Sequence, residues 1–476
     1  MNDTLKRWAR VRARPVAATA VTLMLAGCTS FSPDGGFNSV GELTKERTGQ
    51  TPTLQRTEAD GHGAANRVAE LLKEPLTADA AVELAYLNNR GLQASFSELG
   101  IAEADLVQAG RLRNPSFGFG RLSGDGRVEI DRSVMFDVLG LLTMPAAKQV
   151  EQRRFEAAQY QAAADAVGLA ADVRRGYYNA VAAQELVKYF QQVKVASDAS
   201  SELAKRMLQA GNFNKLSQMR EQAFDADATA QLARARHQAI VERERLVRLL
   251  GLSGARLAFK LPERLPDLPK EPVEPKDAEQ TAMARRLDVL LAKRAAEATA
   301  RSLGLAKTTR VINVFEAGYQ NKSQTGEARQ NGYEIRLELP IFDFGSARVA
   351  RAEATYMQSV HRAAQVGINA QSEVRESYSA YRTAYDLARH YRDDVVPLRK
   401  RISDENLLRY NGMLASVFDL LADSREQITS VTAAVESLRD FWLAQTDLQT
   451  AMTARSPGTV QDMGATRSNA QPQAAH

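Results

Sequence analysis

The side chains that most often perform chemistry are few in this sequence and lie far apart. None of its histidines stands at the short spacing from another that a metal site requires. A lone polar residue on a long helix usually faces solvent, so these residues favour no metal site. The sequence therefore predicts a protein that is not an enzyme and needs no cofactor. The histidines are His62, His237, His361, His390 and His476.

Two other patterns suggest chemistry but are better explained by structure. Phe117-Gly118-Phe119-Gly120 is similar to part of a nucleotide-binding loop, yet its third glycine is misplaced and no βαβ unit follows, so a β-hairpin is favoured. Met207, Met219 and Met413 lie near predicted helix ends, where methionine sulfur could bind a soft metal. Methionine at such spacing more often packs against neighbours, and a metal role remains the lesser alternative.

Cys28 is the only cysteine in the chain, and it follows an export signal. Residues 1–27 contain a basic stretch, a short apolar run and small residues before the cysteine, which is the pattern of a signal peptide. The apolar run is too short to span a bilayer, which requires about 20 residues. Leu25-Ala26-Gly27-Cys28 resembles the bacterial lipobox, which implies that Cys28 is acylated (palmitate) and begins the mature chain. Thr29 stands where an aspartate would favour inner-membrane retention, so the resemblance favours the outer membrane.

Composition places the chain among ordinary globular proteins. Its 476 residues are 44% hydrophobic and 25% charged, with a formal net charge of +5. Most of that excess lies in the basic stretch of the signal peptide, so the mature chain is close to neutral. A nucleic-acid partner is therefore not expected.

Proline and glycine divide the mature chain into segments. Residues 28–76 are rich in Gly, Thr, Ser and Pro and are predicted to form a lipidated, extended N-terminal arm. Residues 261–276 form a proline-rich linker between a first repeat at 77–260 and a second repeat at 277–455. Residues 456–476 are predicted to be a disordered tail.

Both repeats contain the same order of elements: a helix, a β-hairpin, a very long helix, a tight turn and a return helix. A helix of about 64 residues would be about 95 Å long and needs a lateral partner, which the return helix provides. Phe136-Asp137 corresponds to Phe342-Asp343 and Gly211 to Gly412, so specific positions carry the duplication. The predicted hairpin strands are 116–122 with 128–136 and 311–320 with 333–342, the long helices are 146–210 and 346–410, and the return helices are 215–252 and 415–452.

The predicted strands alternate between apolar and charged residues. In 333–342 the odd positions are apolar and the even positions 334, 336 and 338 are charged, and 128–136 alternates in the same way with Arg132 as the one misfit. This alternation suits a membrane β-barrel with lipid outside and water inside, although a strand over a soluble core alternates too. Four strands are too few to close such a barrel, because the smallest have about 8. Several chains must therefore share one barrel.

The sequence resembles the TolC-like outer-membrane efflux proteins over essentially the whole mature chain. The residues that carry the resemblance are the junction at 339–348, Leu-Pro-Ile-Phe-Asp-Phe-Gly-Ser-Ala-Arg, together with 284–289, Tyr410-Asn411-Gly412 and the proline-rich linker. The implied fold class is mainly α, with long antiparallel helical hairpins forming a periplasmic α-barrel and four transmembrane strands per chain. The sequence departs from the family at 135–145, which is longer and more apolar than its counterpart in the second repeat.

The resemblance implies a homotrimer in the outer membrane, in contact with its lipid, that extends into the periplasm. The helical turns would form a gated tip that docks a periplasmic adaptor protein and an inner-membrane transporter, which we expect to be of RND type. Asp419, seven residues after Gly412, matches an aspartate position associated with the gate in this family, and Gln218 is its first-repeat equivalent. The candidate tip and gate residues are Gly211, Gln218, Tyr410, Gly412 and Asp419.

The function implied is a passive outer-membrane exit duct of a tripartite efflux system. Two alternatives remain open from the sequence: the exit duct of a type I protein secretion system, and a lipid-anchored coiled-coil scaffold of the envelope that forms no pore. The sequence does not specify a substrate, because such a duct need not select its cargo chemically.

Overall fold

The computed structural model describes residues 30–457. The predicted signal peptide, Cys28 and nearly all of the predicted C-terminal tail lie outside the described residues. The described chain folds into two compact units. One unit contains the chain up to Ser39, Ser97–Tyr160 and Leu290–Gln365, and the other contains Val40–Phe96, Gln161–Val289 and the chain from Val366 onward.

Helices dominate the described residues, and a single four-stranded sheet completes them. Within residues 30–457, no helix combines the length and the hydropathy needed to cross a membrane. The helices are α1 Phe37–Thr48, α2 Glu58–Leu71, α3 Ala78–Asn88, α4 Arg90–Ala109, α5 Val138–Gln209, α6 Lys215–Leu250, α7 Ala278–Arg285, α8 Leu287–Thr308, α9 Ser346–His390, α10 Val396–Asn411 and α11 Val417–Thr453.

The N-terminal arm is not extended as its composition suggested, because it contains α1 and α2. Thr57 begins α2 with a capping box, in which its side chain accepts from the Asp60 backbone N–H and the Asp60 carboxylate accepts from the Thr57 backbone N–H. Val40 of α1 and Val68 of α2 are buried. Tertiary packing therefore stabilises helices in a segment whose glycines favour irregular structure.

The two long helices differ in continuity. α5 begins directly after a strand, eight residues before the predicted start at 146, and it accommodates Pro145 inside it. The second long helix is interrupted by a π-helical turn, Tyr391–Val395, between α9 and α10. Pro397 explains this interruption, because proline lacks an N–H and its ring clashes with the carbonyl four residues earlier, that of Asp393.

The sheet consists of β1 Ser116–Gly124, β2 Arg127–Asp137, β3 Phe315–Gln324 and β4 Gln330–Leu337, antiparallel and in sequential order. The first hairpin lies where it was predicted. The second is shifted toward its loop, because β3 continues to Gln324 and β4 ends at Leu337 rather than at Phe342. Pro340 accounts for the early end, since it has no N–H to donate to a ladder.

The segment predicted as a proline-rich linker has no helix or strand from 258 to 277. Aromatic side chains of α9 and α11 hold its backbone. The Tyr381 hydroxyl accepts from the Val273 N–H at 2.8 Å, the Tyr385 hydroxyl donates to the Lys270 carbonyl at 2.7 Å, and the Trp442 indole N–H donates to the Pro266 carbonyl at 3.0 Å. These rings pack with buried Phe441 and Leu268, so the linker covers part of the core.

Arg286 separates α7 from α8 and is the largest fully buried side chain of the described residues, with 0% exposure. Its guanidinium donates to both carboxylate oxygens of Asp288 at 2.8 and 2.9 Å and to Glu373 of α9 at 2.5 Å. It also donates to the Ala451 carbonyl in the last turn of α11 at 3.3 Å. A buried guanidinium is tolerated here because each of its three nitrogen atoms donates a hydrogen bond.

We expect Arg286→Ala to lower the free energy of unfolding by about 3 kcal/mol, because it leaves two partly buried carboxylates without their counter-charge. Circular dichroism melting of the solubilised protein measures the loss. The matched control is Arg285→Ala, since Arg285 is half exposed and its ion pair with Glu46 lies at the surface; its cost should stay below about 1 kcal/mol. Equal losses in the two variants would contradict the role given to Arg286.

Candidate functional site: the helical turns and the sheet faces

The first predicted turn joins α5 to α6 through a hydrogen-bonded helix end. The Asn212 N–H donates to the Met207 carbonyl at 2.9 Å, and the Gly211 N–H donates to the Leu208 carbonyl at 3.0 Å. This pair of bonds is a Schellman motif, in which the residue after the cap adopts a left-handed conformation. Gly211 occupies that position with φ of +77°.

The second turn joins α10 to α11 with the same pair of bonds. The Leu414 N–H donates to the Arg409 carbonyl at 2.8 Å, and the Met413 N–H donates to the Tyr410 carbonyl at 2.9 Å. The left-handed residue is Met413, with φ of +59°, whereas Gly412 has φ of −81°. The predicted correspondence of Gly211 with Gly412 is therefore wrong by one residue, and Met413 is the structural equivalent of Gly211.

This alignment also changes the predicted pair of gate positions. Each left-handed residue stands three positions before the cap of the return helix, Asn214 for α6 and Ser416 for α11. Ser217 and Asp419, each the third residue of its return helix, therefore occupy equivalent positions. Gln218, the predicted equivalent of Asp419, lies one position later and is buried.

Asp419 forms a capping box at the start of α11. Its carboxylate accepts from the Ser416 backbone N–H at 2.9 Å and from the Ser416 hydroxyl at 2.8 Å, and the Ser416 side chain accepts from the Asp419 N–H. These hydrogen bonds hold the pKa of Asp419 below its usual 3.8, and the bond from the Ser416 backbone contributes most. The carboxylate is at the surface, and its predicted role in a gate stays a prediction.

Large apolar side chains are exposed at both turns. At the second turn Met413 is 94% exposed and Leu414 is 83% exposed. After the first turn, Leu216 and Met219 at the start of α6 are more than half exposed. Tyr410 is also partly exposed. Exposed apolar side chains clustered on one surface often mark a contact with a partner.

Behind the turns, a buried carboxylate connects the two helical hairpins. Glu221 of α6 is almost fully buried, accepts from the Ser200 hydroxyl of α5 at 2.9 Å and lies 3.9 Å from the guanidinium of Arg425 on α11. The Arg425 guanidinium also lies over the Phe224 ring, 4.7 Å from its centroid. Sequence reasoning missed this contact, because residues of two distant helices form it.

A second polar cluster joins α5 to α6. Asp225 accepts from the Ser197 hydroxyl at 2.7 Å and from the Lys194 ammonium at 2.9 Å, and Lys194 also pairs with Asp198. The hydrogen bonds that Asp225 accepts from Ser197 and Lys194 lower the pKa of its carboxyl group. Those that Lys194 donates to Asp198 and Asp225 raise the pKa of its ammonium group. Asp225 and Lys194 are therefore both charged at neutral pH, and their ion pair fixes the register of the two helices.

The register of the sheet sorts its side chains onto two faces, because directly paired residues share a face. One row of the first face crosses all four strands and consists of Phe117, Val134, Tyr319 and Tyr333. Arg132, the misfit of the predicted alternation, lies on this face and donates to Asn321 at 3.1 Å. Most of the large apolar side chains of this face are exposed, including Phe117, Phe119, Phe136, Tyr319, Tyr333 and Ile335.

The opposite face carries most of the charged residues of the strands, whereas the first face has only Arg121 and Arg132. Arg336 pairs with Glu316 at 3.0 Å and with Glu334 at 3.3 Å, and Lys322 pairs with Glu129. Glycines and small polar residues fill the middle of this face, among them Gly118, Ser133, Gln320 and Gly332. The sheet is thus two-sided, with a largely apolar face and a polar, charged face.

The residues considered for chemistry do not form a site. Phe117–Gly120 lies inside β1, and His390 pairs with Asp394 at 2.9 Å on the surface. Among the described residues, no three His, Cys, Asp or Glu side chains lie close enough together to hold a metal ion. A role of the methionines in metal binding stays a prediction.

Comparison with solved structures identifies the fold. The chain is similar to the outer-membrane channel OprN, with 18% identity and a TM-score of 0.67 over 86% of this chain and 95% of that one. It is also similar to the CmeC outer membrane channel of Campylobacter jejuni (14% identity, TM-score 0.65, 87% and 91% covered). The MtrE outer membrane channel of Neisseria gonorrhoeae, in its open state, matches with 15% identity and a TM-score of 0.65 over 83% and 91%.

No protein-family model matches the chain, and no curated protein matches it by sequence. The structural likeness is nevertheless extensive, since it covers more than nine tenths of each of these channels. The described residues therefore have the fold of these channels, and the predicted fold class, mainly α with long helical hairpins and four strands, is confirmed.

The turns allow a direct test of their equivalence. We expect Met413→Gly to stabilise its turn by about 1 kcal/mol and Gly211→Ala to destabilise the other by a similar amount, because only glycine adopts a left-handed φ without cost. Amide hydrogen exchange of the two turns measures both effects. Gly412→Ala is the control and should be nearly neutral, since its added Cβ would make only ordinary contacts at 3.5 Å or more. A large loss in Gly412→Ala would contradict the assignment.

The capping box of Asp419 makes the start of α11 sensitive to acid. Because the folded-state pKa lies below 3.8, the stabilisation is fully present above that value and is lost as pH falls through the lowered pKa. We expect the amides of the first turn of α11 to lose protection from hydrogen exchange below about pH 3.8, relative to the first turn of α6. Asn214, which caps α6, does not titrate and so provides the internal control. Two results would refute this role: an equal loss of protection in the first turns of α11 and α6, or an Asp419→Asn variant whose first turn of α11 is as well protected as that of the wild type.

Proposed function

We propose that this protein is one subunit of an outer-membrane channel that serves as the exit duct of an efflux system. The observation that carries the proposal is the two-sided sheet. Its apolar face is exposed and its opposite face is charged, and within the described residues its outer strands β1 and β4 each pair on one side only.

An exposed apolar face of this kind is unfavourable in water, and contact with lipid removes the cost. The charged face requires water, which a channel lumen supplies. Unpaired strand edges are excluded from a bilayer, so the edges of β1 and β4 must pair with strands of other copies. We propose a homotrimer, in which three copies would supply twelve strands to one barrel.

The solved structures support this proposal, because the similar proteins from Campylobacter jejuni and Neisseria gonorrhoeae are outer membrane channels. The second of these was solved in an open state, which supports a duct that changes its aperture. We propose that the helical turns are the periplasmic end, where Asp419, Gln218 and Tyr410 lie near the narrowest part of the pore.

The exposed Met413 and Leu414 support a docking role for the same end. We propose that a periplasmic adaptor binds there and connects the duct to an inner-membrane transporter of RND type, which would supply the energy. Acylation of Cys28 would add a lipid anchor in the outer membrane. A coiled-coil scaffold without a pore has no need of a sheet with one exposed apolar face, so the sheet favours the channel.

Reconstitution into planar bilayers tests the proposal, and we expect the purified protein to give discrete conductance steps. Tyr319→Arg, on the apolar face, should remove the conductance by opposing insertion, at a cost of about 2 to 4 kcal/mol near the midplane of the membrane. The matched control is its neighbour Gln320→Arg on the polar face, which should still insert and conduct. The absence of any conductance from the wild-type protein, or equal tolerance of both variants, would reject the channel.

A further inference from the structure

Two exposed apolar stretches border the base of the sheet, the end at which its strands meet the helices. β2 ends there at Asp137 and β4 at Leu337, while β1 and β3 begin there at Ser116 and Phe315. Neither stretch belongs to a strand, so the apolar face of the sheet does not explain them. One of them, the start of α5, overlaps the segment that sets the first repeat apart in sequence, 135–145.

The first stretch is the first two turns of α5. Leu142, Pro145 and Ala146 are exposed and lie at helical spacing along one stripe, with Leu142 68% exposed. Further along the same stripe, the exposed residues become polar at Gln149 and Gln152. An exposed helical stripe that changes from apolar to polar within one turn indicates a boundary between an apolar medium and water.

The second stretch follows β4 and precedes α9. Leu339, Ile341, Phe342 and Phe344 are all exposed, and Phe342 is 98% exposed. The backbone at the end of this stretch is held by two hydrogen bonds. The Gly345 N–H donates to the Asp343 carboxylate at 2.7 Å, and the Arg310 guanidinium donates to the Phe344 carbonyl at 3.1 Å. The loop therefore exposes these side chains next to a backbone held at its C-terminal end.

Exposed basic residues occur in the segments that join both stretches and the sheet to the helices. They occur in the segment before β1, in the segment before β3, and in the parts of α5 and α9 that follow the apolar residues. Such a basic rim next to an apolar surface complements the anionic phosphates of a lipid headgroup layer. These residues are Arg111, Arg113, Lys148, Arg310, Arg348 and Arg351.

We infer that the first two turns of α5 and the segment 339–344 insert into the phospholipid leaflet at the base of the sheet. This inference rests on the proposed function and extends it, since it places lipid contact on helix and loop as well as on strands. The apolar part of α5, from Val138 to Ala146, has nine residues and is about 13 Å long. The headgroup layer then lies at the level of Lys148, next to the polar stripe that begins at Gln149.

Spin labels on single introduced cysteines test this placement in vesicles of phosphatidylethanolamine and phosphatidylglycerol. The variants are Leu142→Cys and Phe342→Cys, with Gln149→Cys as the matched control two turns along the same stripe. The protein without an introduced cysteine is labelled in the same way, so that any signal from Cys28 can be subtracted. We expect labels at 142 and 342 to be several-fold more accessible to oxygen than to a water-soluble nickel complex, and the label at 149 to show the reverse.

Two results would overturn the inference. If labels at 142 and 342 are as accessible to the nickel complex as the label at 149, both stretches lie in water. Low accessibility to both reagents would place them against a second copy of the chain instead. Tyr319→Cys separates the two proposals: a lipid signal at 319 with water signals at 142 and 342 rejects this inference alone, and a water signal at 319 as well rejects the membrane sheet too.

Discussion

Close lateral packing of very long helices is the interaction on which the helical unit depends. A helix of this length gains little from its own hydrogen bonds unless neighbouring helices cover one side of it. In α5 the covered positions are largely alanines, including Ala162, Ala163, Ala166, Ala170 and Ala180, and their small side chains let neighbouring helices approach closely. Polar contacts such as Asp225 with Lys194 and Ser197 then fix the register, which alanine packing alone leaves weakly defined.

A few arginines connect parts of the chain that are distant in sequence. Arg286 binds Asp288 beside it, Glu373 of α9 and the end of α11, and Arg47 of α1 donates to the carbonyls of Arg285 and Thr453 at 2.7 and 3.1 Å. The arm from Val40 onward is thus an integral part of the unit that contains Arg286. Buried guanidinium groups suit this task, because each can satisfy several carbonyl and carboxylate groups at once.

The two halves of the chain have the same order of elements but differ in detail. One helical turn uses Gly211 in the left-handed conformation, while the other uses Met413, which presents an exposed apolar side chain at the cost of backbone strain. One long helix is continuous, while Pro397 introduces a π-helical turn into the other. At the base of the sheet, β2 continues directly into helix, whereas a loop separates β4 from α9. Each difference changes which side chains the molecule exposes at its turns or next to its sheet.

The sequence by itself determined the helical hairpins, the first β-hairpin and the alternation of the strands, because periodicity and turn residues are local signals. The spacing of Ser416 and Asp419 is also a local signal, and it would have aligned the two turns correctly. Tertiary structure alone decided that the arm is helical, that Arg286 is buried and that Glu221 lies near Arg425. It also decided which residues share a face of the sheet, because that depends on the pairing of β2 with β3 across almost two hundred residues. Such contacts join residues far apart in the chain, and their energies come from burial and hydrogen bonding that no local pattern records.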